Sequence, residues 1–329
     1  MTAARRRSFG RYLPLAALVA GLVIPFAFEQ YKLYVATLVL VYIVMAIGLN
    51  LTLGYAGQIS LAHAAFMSVG AYAVAILVPL GVPFEAAMLI GAVLAFLLGI
   101  AVGFPALRVK HHFLAMVTLG FNVIAFLVLR DWASLTGGTL GISGIARPRW
   151  GMLSFRSDHA FYAYVLAWTV LVMLSAWWLL RSRWGRAFRA IRENEMRAEV
   201  VGVNLRTYKL LAFAIGAFYA AIGGALFAPL VGYIDPTAFT LDRSIQFLMM
   251  VVIGGLGRFA GPIVGALVVT ALPEVLRATA GLYLIIFSAA VMLMVLFMPE
   301  GLVGLWDWLV ARLGGALGAA EPGADAEPG

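Results

Sequence analysis

Apolar residues fall in blocks of about twenty, separated by short polar, basic or glycine-rich interruptions, and a helix of that length crosses a hydrocarbon core of about 30 Å. Six such blocks precede the most basic stretch of the chain, at residues 12–28, 33–53, 60–80, 84–107, 113–130 and 160–180. A seventh follows at 210–232 and a last at 281–298. Between these two, an apolar stretch at 244–273 would reach about 45 Å as one helix, too long for a bilayer without severe tilt. Gly254, Gly255, Gly257, Arg258 and Pro262 interrupt it, so it divides into two short segments meeting at a glycine-rich turn on the inner face. Lipid tolerates such a turn only where other helices surround it. The pattern predicts an all-α fold, a polytopic transmembrane helix bundle of about ten membrane segments, two of them short.

Charge supplies the orientation. Arg5, Arg6, Arg7 and Arg11 hold the amino terminus in the cytoplasm, and six crossings bring residues 181–209 back to that side. That loop carries Arg181, Arg183, Arg186, Arg189, Arg192, Arg197, Arg206 and Lys209, as a cytoplasmic loop should. The carboxyl terminus is then cytoplasmic too. The expected organisation is a basic terminus (1–11), a transmembrane domain (12–298) with an outer loop (131–159) and a cytoplasmic loop (181–209), and a cytoplasmic tail (299–329). From about residue 314 the tail is dominated by Gly, Ala, Pro and acids, the composition of disorder. The first block begins like a signal peptide, but no small-x-small cleavage site precedes Glu29, and it reads as a retained span.

Composition agrees with this placement. Apolar residues make up 64% of the 329 positions, mean hydropathy is +0.99, and only 12% are charged, against about a quarter in soluble domains. The formal charge of +8 reflects the topology signal and not a nucleic-acid surface. With no cysteine, disulfides, thiol catalysis and thiolate metal sites are excluded. His63, His111, His112 and His159 lack metal-ligand spacing, so no metal is expected. The fifteen acids, Asp242 among them, fall at the ends of blocks, in loops or in the tail, which predicts no carboxylate in mid-membrane.

Three constellations carry candidate chemistry. In the first, Asn50, Gln58, Ser60 and His63 lie beside Gly48, Gly54, Gly57 and Gly70, and Thr118 and Asn122 add polar groups to the fifth block. Polar side chains at such depth line a translocation path or bond neighbouring helices, and the residues alone leave both readings open. The second is the basic stretch holding Arg186, Arg189, Arg192, Glu193, Glu195, Arg197, Glu199 and Gly202. Glu193 and Arg197 at i and i+4, with a closing Gly202, predict one short surface helix. The third is the inner turn of Gly254, Gly255, Gly257 and Arg258. It lacks the Gly-x-x-x-x-Gly-Lys-Ser/Thr pattern, so no bound ATP or other cofactor is expected on this chain.

Residues 48–72, the Phe113 to Leu119 run, Leu135-Thr136-Gly137-Gly138-Thr139-Leu140-Gly141-Ile142, the basic loop and Met249 to Pro262, taken in this order, resemble the permeases of the high-affinity branched-chain amino-acid ABC importers, the LivM-like subunit in particular. One departure is Leu140, where relatives often carry asparagine. The resemblance implies a non-enzymatic inner-membrane subunit that alternates between inward-open and outward-open packings. It also implies a second, LivH-like permease, two ABC ATPase subunits that use the ATP, and an extracytoplasmic solute-binding protein. The basic stretch then matches the coupling helix that docks on the ATPase, although only Ala198, Glu199 and Gly202 approximate the general importer pattern. Branched-chain or related small amino acids are the implied cargo, with urea or amides as the alternative within the family. The rivals are an ion-coupled secondary transporter, which needs mid-membrane carboxylates or discontinuous helices, and a membrane enzyme, for which no catalytic pairing stands out.

Overall fold

The computed structural model describes residues 30–106, 111–150, 153–276 and 301–305, together with 289 and 292. The expected first span (12–28), all but residues 289 and 292 of the last span (281–298), both termini and the tail beyond residue 305 lie outside the described residues. Besides the one-turn helix Ala133–Thr136, the α-helices among the described residues are α1 Gln30–Leu49, α2 His63–Leu77, α3 Phe84–Ala106, α4 His111–Asp131, α5 Asp158–Arg181, α6 Arg183–Glu193, α7 Glu195–Val200, α8 Leu205–Val231, α9 Leu241–Gly254 and α10 Gly261–Leu276. Five continuous helical stretches are long and apolar enough to cross a membrane: Gln30–Tyr55, Phe84–Ala106, Leu114–Asp131, Asp158–Arg181 and Leu205–Val231. The chain is a multi-pass helical membrane protein.

The centre of the bundle is α8, packed on α1, α2 and α3. Lipid gives no hydrophobic drive for helix association, so contact depends on how closely backbones approach. Small residues supply that approach. A β-carbon on Gly48 would stand 2.6 Å from Gly216 O, and one on Gly70 or Gly224 would run into the backbone of Ala221 or Met67. By contrast α4 leaves Met116, Val123, Ile124 and Leu127 exposed on the flank of the subunit.

Contacts along the bundle define its two faces. Glu85 accepts a hydrogen bond from Tyr164 (2.9 Å), so the starts of α3 and α5 share one face, whereas α5 ends at Arg181 and enters the basic helices α6 and α7 on the other. The loop at 131–159 is folded onto the face opposite the basic helices: Ile142–Ser143 pairs antiparallel with Tyr233–Ile234, and Arg147 bridges to Asp158 at 2.8 Å.

Two elements depart from the expected pattern. The block at 60–80 becomes a 15-residue helix that starts at His63, after a non-helical segment that climbs from Ala56. The predicted surface helix is two helices, because Asn194 is extended (φ −164°) and caps α7 by accepting from Arg197 N at 3.0 Å. The expected Glu193–Arg197 pairing is therefore replaced by Lys209–Glu195 at 2.6 Å.

The break in the long apolar stretch is observed, with α9 and α10 on either side of it. At 14 residues α9 is about 21 Å long, too short to cross. It runs alongside α1, with Arg243 Nη1 donating to Tyr42 Oη (2.8 Å) and Gly257 N donating to Asn50 Oδ1 (2.9 Å). Tyr42 lies about 18 Å from one end of Gln30–Tyr55 and about 20 Å from the other. Phe247 packs on the Tyr42 ring (centroids 5.7 Å apart), so Arg243 stands about one turn nearer the Gln30 end, and the start of α9 falls within the length of this span and not at its end. There it meets the start of α2, since Ala64 N donates to Ser244 Oγ at 3.0 Å. Asp242 stands two residues earlier, a carboxylate within the length of the span, where the sequence pattern puts it at a block end.

Candidate functional site

The three constellations converge on two connected junctions. The first lies on the basic face, where the chain leaves α1 through a π-helical stretch, Asn50–Tyr55, with Ala56 N donating to Leu51 O five residues back. Asn50, 3% exposed, donates from Nδ2 to Arg258 O (3.0 Å) and accepts from Gly257 N. One side chain thus clasps the turn between α9 and α10. That turn depends on glycine, since Gly255 (φ 122°) and Gly257 (φ 70°) adopt backbone that L side chains rarely enter. Arg192, on α6, donates to Gly54 O and, at 3.5 Å, to Leu256 O. The basic loop is therefore bonded to both interruptions of the membrane helices.

The second junction is at the start of α2. A helix that begins inside a membrane exposes backbone N–H groups with no water to meet them. Here side chains from other helices satisfy them: Leu61 N donates to Thr118 Oγ1 (3.1 Å), Ala65 N to Asn122 Oδ1 (3.0 Å) and Ala64 N to Ser244 Oγ. Ser60 Oγ accepts from Ala62 N (3.4 Å) and lies 3.3 Å from His63 Nδ1. Gln58 is 4% and His63 1% exposed, and the buried Gln58 amide and His63 Nε2 have no hydrogen-bond partner of good geometry among the described residues. Thr118, Asn122 and Ser60 thus serve the broken helix, while Gln58 and His63 keep polar atoms to spare. Ser244 belongs to this junction and was missed by sequence reasoning.

The remaining loop candidates lie at the surface or fold back. Arg186 and Arg189 bond carbonyls of Arg181, Gly185 and Leu180. Glu193, Arg197 and Glu199 are exposed, and Gly202 (φ 84°) closes the α7 turn in open space. The charge pattern passed over what surrounds them: Met196, Val200 and Val201 are 78%, 85% and 76% exposed, an apolar tip standing free on the basic face. Among the described residues no three His, Asp or Glu side chains gather to hold a metal.

A family model described as the branched-chain amino acid transport system / permease component matches residues 31–298, which includes both junctions. The chain belongs to this permease family. Similar family members include the high-affinity branched-chain amino acid transport system permease protein LivM of Escherichia coli (strain K12), 32% identical over 88% of this chain and 74% of the relative. LivH of Salmonella typhimurium is 28% identical over 80% of this chain and 91% of the relative. The autoinducer 2 import system permease protein LsrC of Salmonella paratyphi B is 27% identical over 80% and 77%. No solved structure matches the chain significantly.

Proposed function

We propose that this chain is the transmembrane permease subunit of an ATP-binding-cassette importer of the inner membrane, carrying branched-chain or related small amino acids by alternating access. The reading completes the bundle to about ten segments with the basic face in the cytoplasm. Its partners are a LivH-like permease, two ATPases that consume the ATP, and an external solute-binding protein. The observation that carries it is Arg192, which ties the basic loop to both helix breaks and gives a force applied at α6 and α7 a short route into the membrane domain. The exposed tip of Met196, Val200 and Val201 supports the same reading, because an apolar knob in water suits a cleft on a partner.

Two variants separate docking from transmission. Met196→Glu with Val200→Glu should abolish copurification with the ATPases. Arg192→Ala should copurify yet hydrolyse ATP with reduced uptake of labelled leucine in proteoliposomes. Equal uptake per ATP in Arg192→Ala and wild type would defeat the proposal. An ion-coupled rival draws on Asp242, a carboxylate at membrane depth. Uptake that follows an imposed proton gradient in the absence of ATP would favour it.

A further inference from the structure

Asp242 and Arg243 are adjacent, oppositely charged and within the length of the α1 span, yet they do not pair with each other. Arg243 Nη1 donates to Tyr42 Oη and to Gln246 Oε1 (2.9 Å), and its Nε reaches Ala238 O at 3.4 Å. These bonds hold the guanidinium in place and leave Nη2 without a partner among the described residues. The Asp242 carboxylate is exposed and takes no hydrogen bond or ion pair among them either. Ile245, one turn on, is 38% exposed, so this face of α9 is uncovered.

An exposed carboxylate beside a partly buried guanidinium within the span is unsuited to a lipid-facing surface, since ionised side chains in a bilayer face a bundle interior or a water-filled passage. The start of a half-length helix at such depth is also where discontinuous-helix transporters meet their cargo. We infer that Asp242 and Arg243 form a subsite for a zwitterionic solute on the aqueous passage, Arg243 Nη2 donating to the solute carboxylate and Asp242 accepting from its ammonium, with Tyr42 as the positioning residue for the guanidinium. The subsite deepens the permease reading above and rests on it for the identity of the cargo. It places the recognition on the outer flank of the subunit and not in the buried Gln58 and His63 cluster.

The test uses the full transporter reconstituted with its partner subunits, and leucine as the probe. Arg243→Gln and Asp242→Asn should each raise the KM for leucine uptake by roughly ten- to hundredfold, as loss of one charge-assisted hydrogen bond does. Arg243→Lys should recover part of the loss. Copurification with the partner subunits reports whether each variant is folded. Because the chain has no native cysteine, Ile245→Cys supplies an independent readout. It should react with a membrane-impermeant thiosulfonate in at least one nucleotide state and be protected by leucine. A KM within twofold of wild type in folded Arg243→Gln and Asp242→Asn, or an Ile245→Cys that stays unreactive in every state, overturns the inference. Wild-type transporter that fails to carry leucine contradicts the cargo assigned above, and thiol reactivity at residue 245 still decides whether this face lines an aqueous passage.

Discussion

Asn50 is the most direct place to test how the helix breaks are joined. Replacing it with leucine keeps the volume and removes both bonds to the turn, those to Gly257 N and Arg258 O. Interhelical hydrogen bonds in membrane proteins are worth about 0.6 kcal/mol each on average, which sets a floor near 1 kcal/mol for the pair. Both lost partners are backbone groups of a partly buried turn packed on the buried Asn50, and a buried backbone group left unpaired costs about 1–3 kcal/mol. The second effect dominates, and the expected loss is about 2–4 kcal/mol. Asn50→Ala adds a hole to the same loss and should be somewhat worse. Thermal denaturation in detergent, followed by tryptophan fluorescence, should give the order wild type, Asn50→Leu, Asn50→Ala. ATP-driven uptake should fall in both variants by more than ATP hydrolysis does. An Asn50→Leu protein with the wild-type midpoint and wild-type uptake per ATP would refute the argument.

Other substitutions probe separate parts of the structure. Gly224→Ala drives a β-carbon into the Met67 backbone at the α2–α8 contact, and should cost about 1–3 kcal/mol, seen as a lower yield of monodisperse protein in size-exclusion chromatography. Ser244→Ala strips the cap from Ala64 N and should cost about 1 kcal/mol, with faster amide exchange at the start of α2. Gly202→Ala meets no neighbour but forces φ 84° on an L residue; the penalty is about 1–2 kcal/mol, read as proteolytic nicking near Val201. Lys209→Ala breaks the 2.6 Å bridge to Glu195, and should change the melting midpoint by less than about 1 kcal/mol's worth, more at low salt than at high.

The membrane helices were legible because long apolar blocks have few alternatives, and α1, α3, α4, α5 and α8 end within a few residues of the expected limits. The break after Gly254 was legible too, since glycines with a proline interrupt any helix. Its clasp was not, because Asn50 and Gly257 are far apart in sequence and nothing local couples them. Residues 56–62 carry mostly helix-compatible side chains, and the capping groups on α4 and α9 are what support a non-helical backbone there. Asn194 was read as interior to one helix, although an asparagine followed three residues later by Arg197 N is well placed to start a new one. Asp242, Arg243 and Ser244 were missed because charges beside an apolar run are ordinarily assigned to the membrane surface. The available signal was length: a run that begins at Leu241 and ends at Gly254 cannot reach both surfaces, so one of its ends has to lie inside.

The props at the start of α2 have a mechanical consequence. Thr118 and Asn122 come from α4 and Ser244 from α9, so sliding any one of these helices away would strand backbone donors where no water waits to replace the lost contact. The three are bound to travel together. A gap wide enough for cargo therefore opens along the flank of this block, as it rocks against a neighbour, and not through its middle.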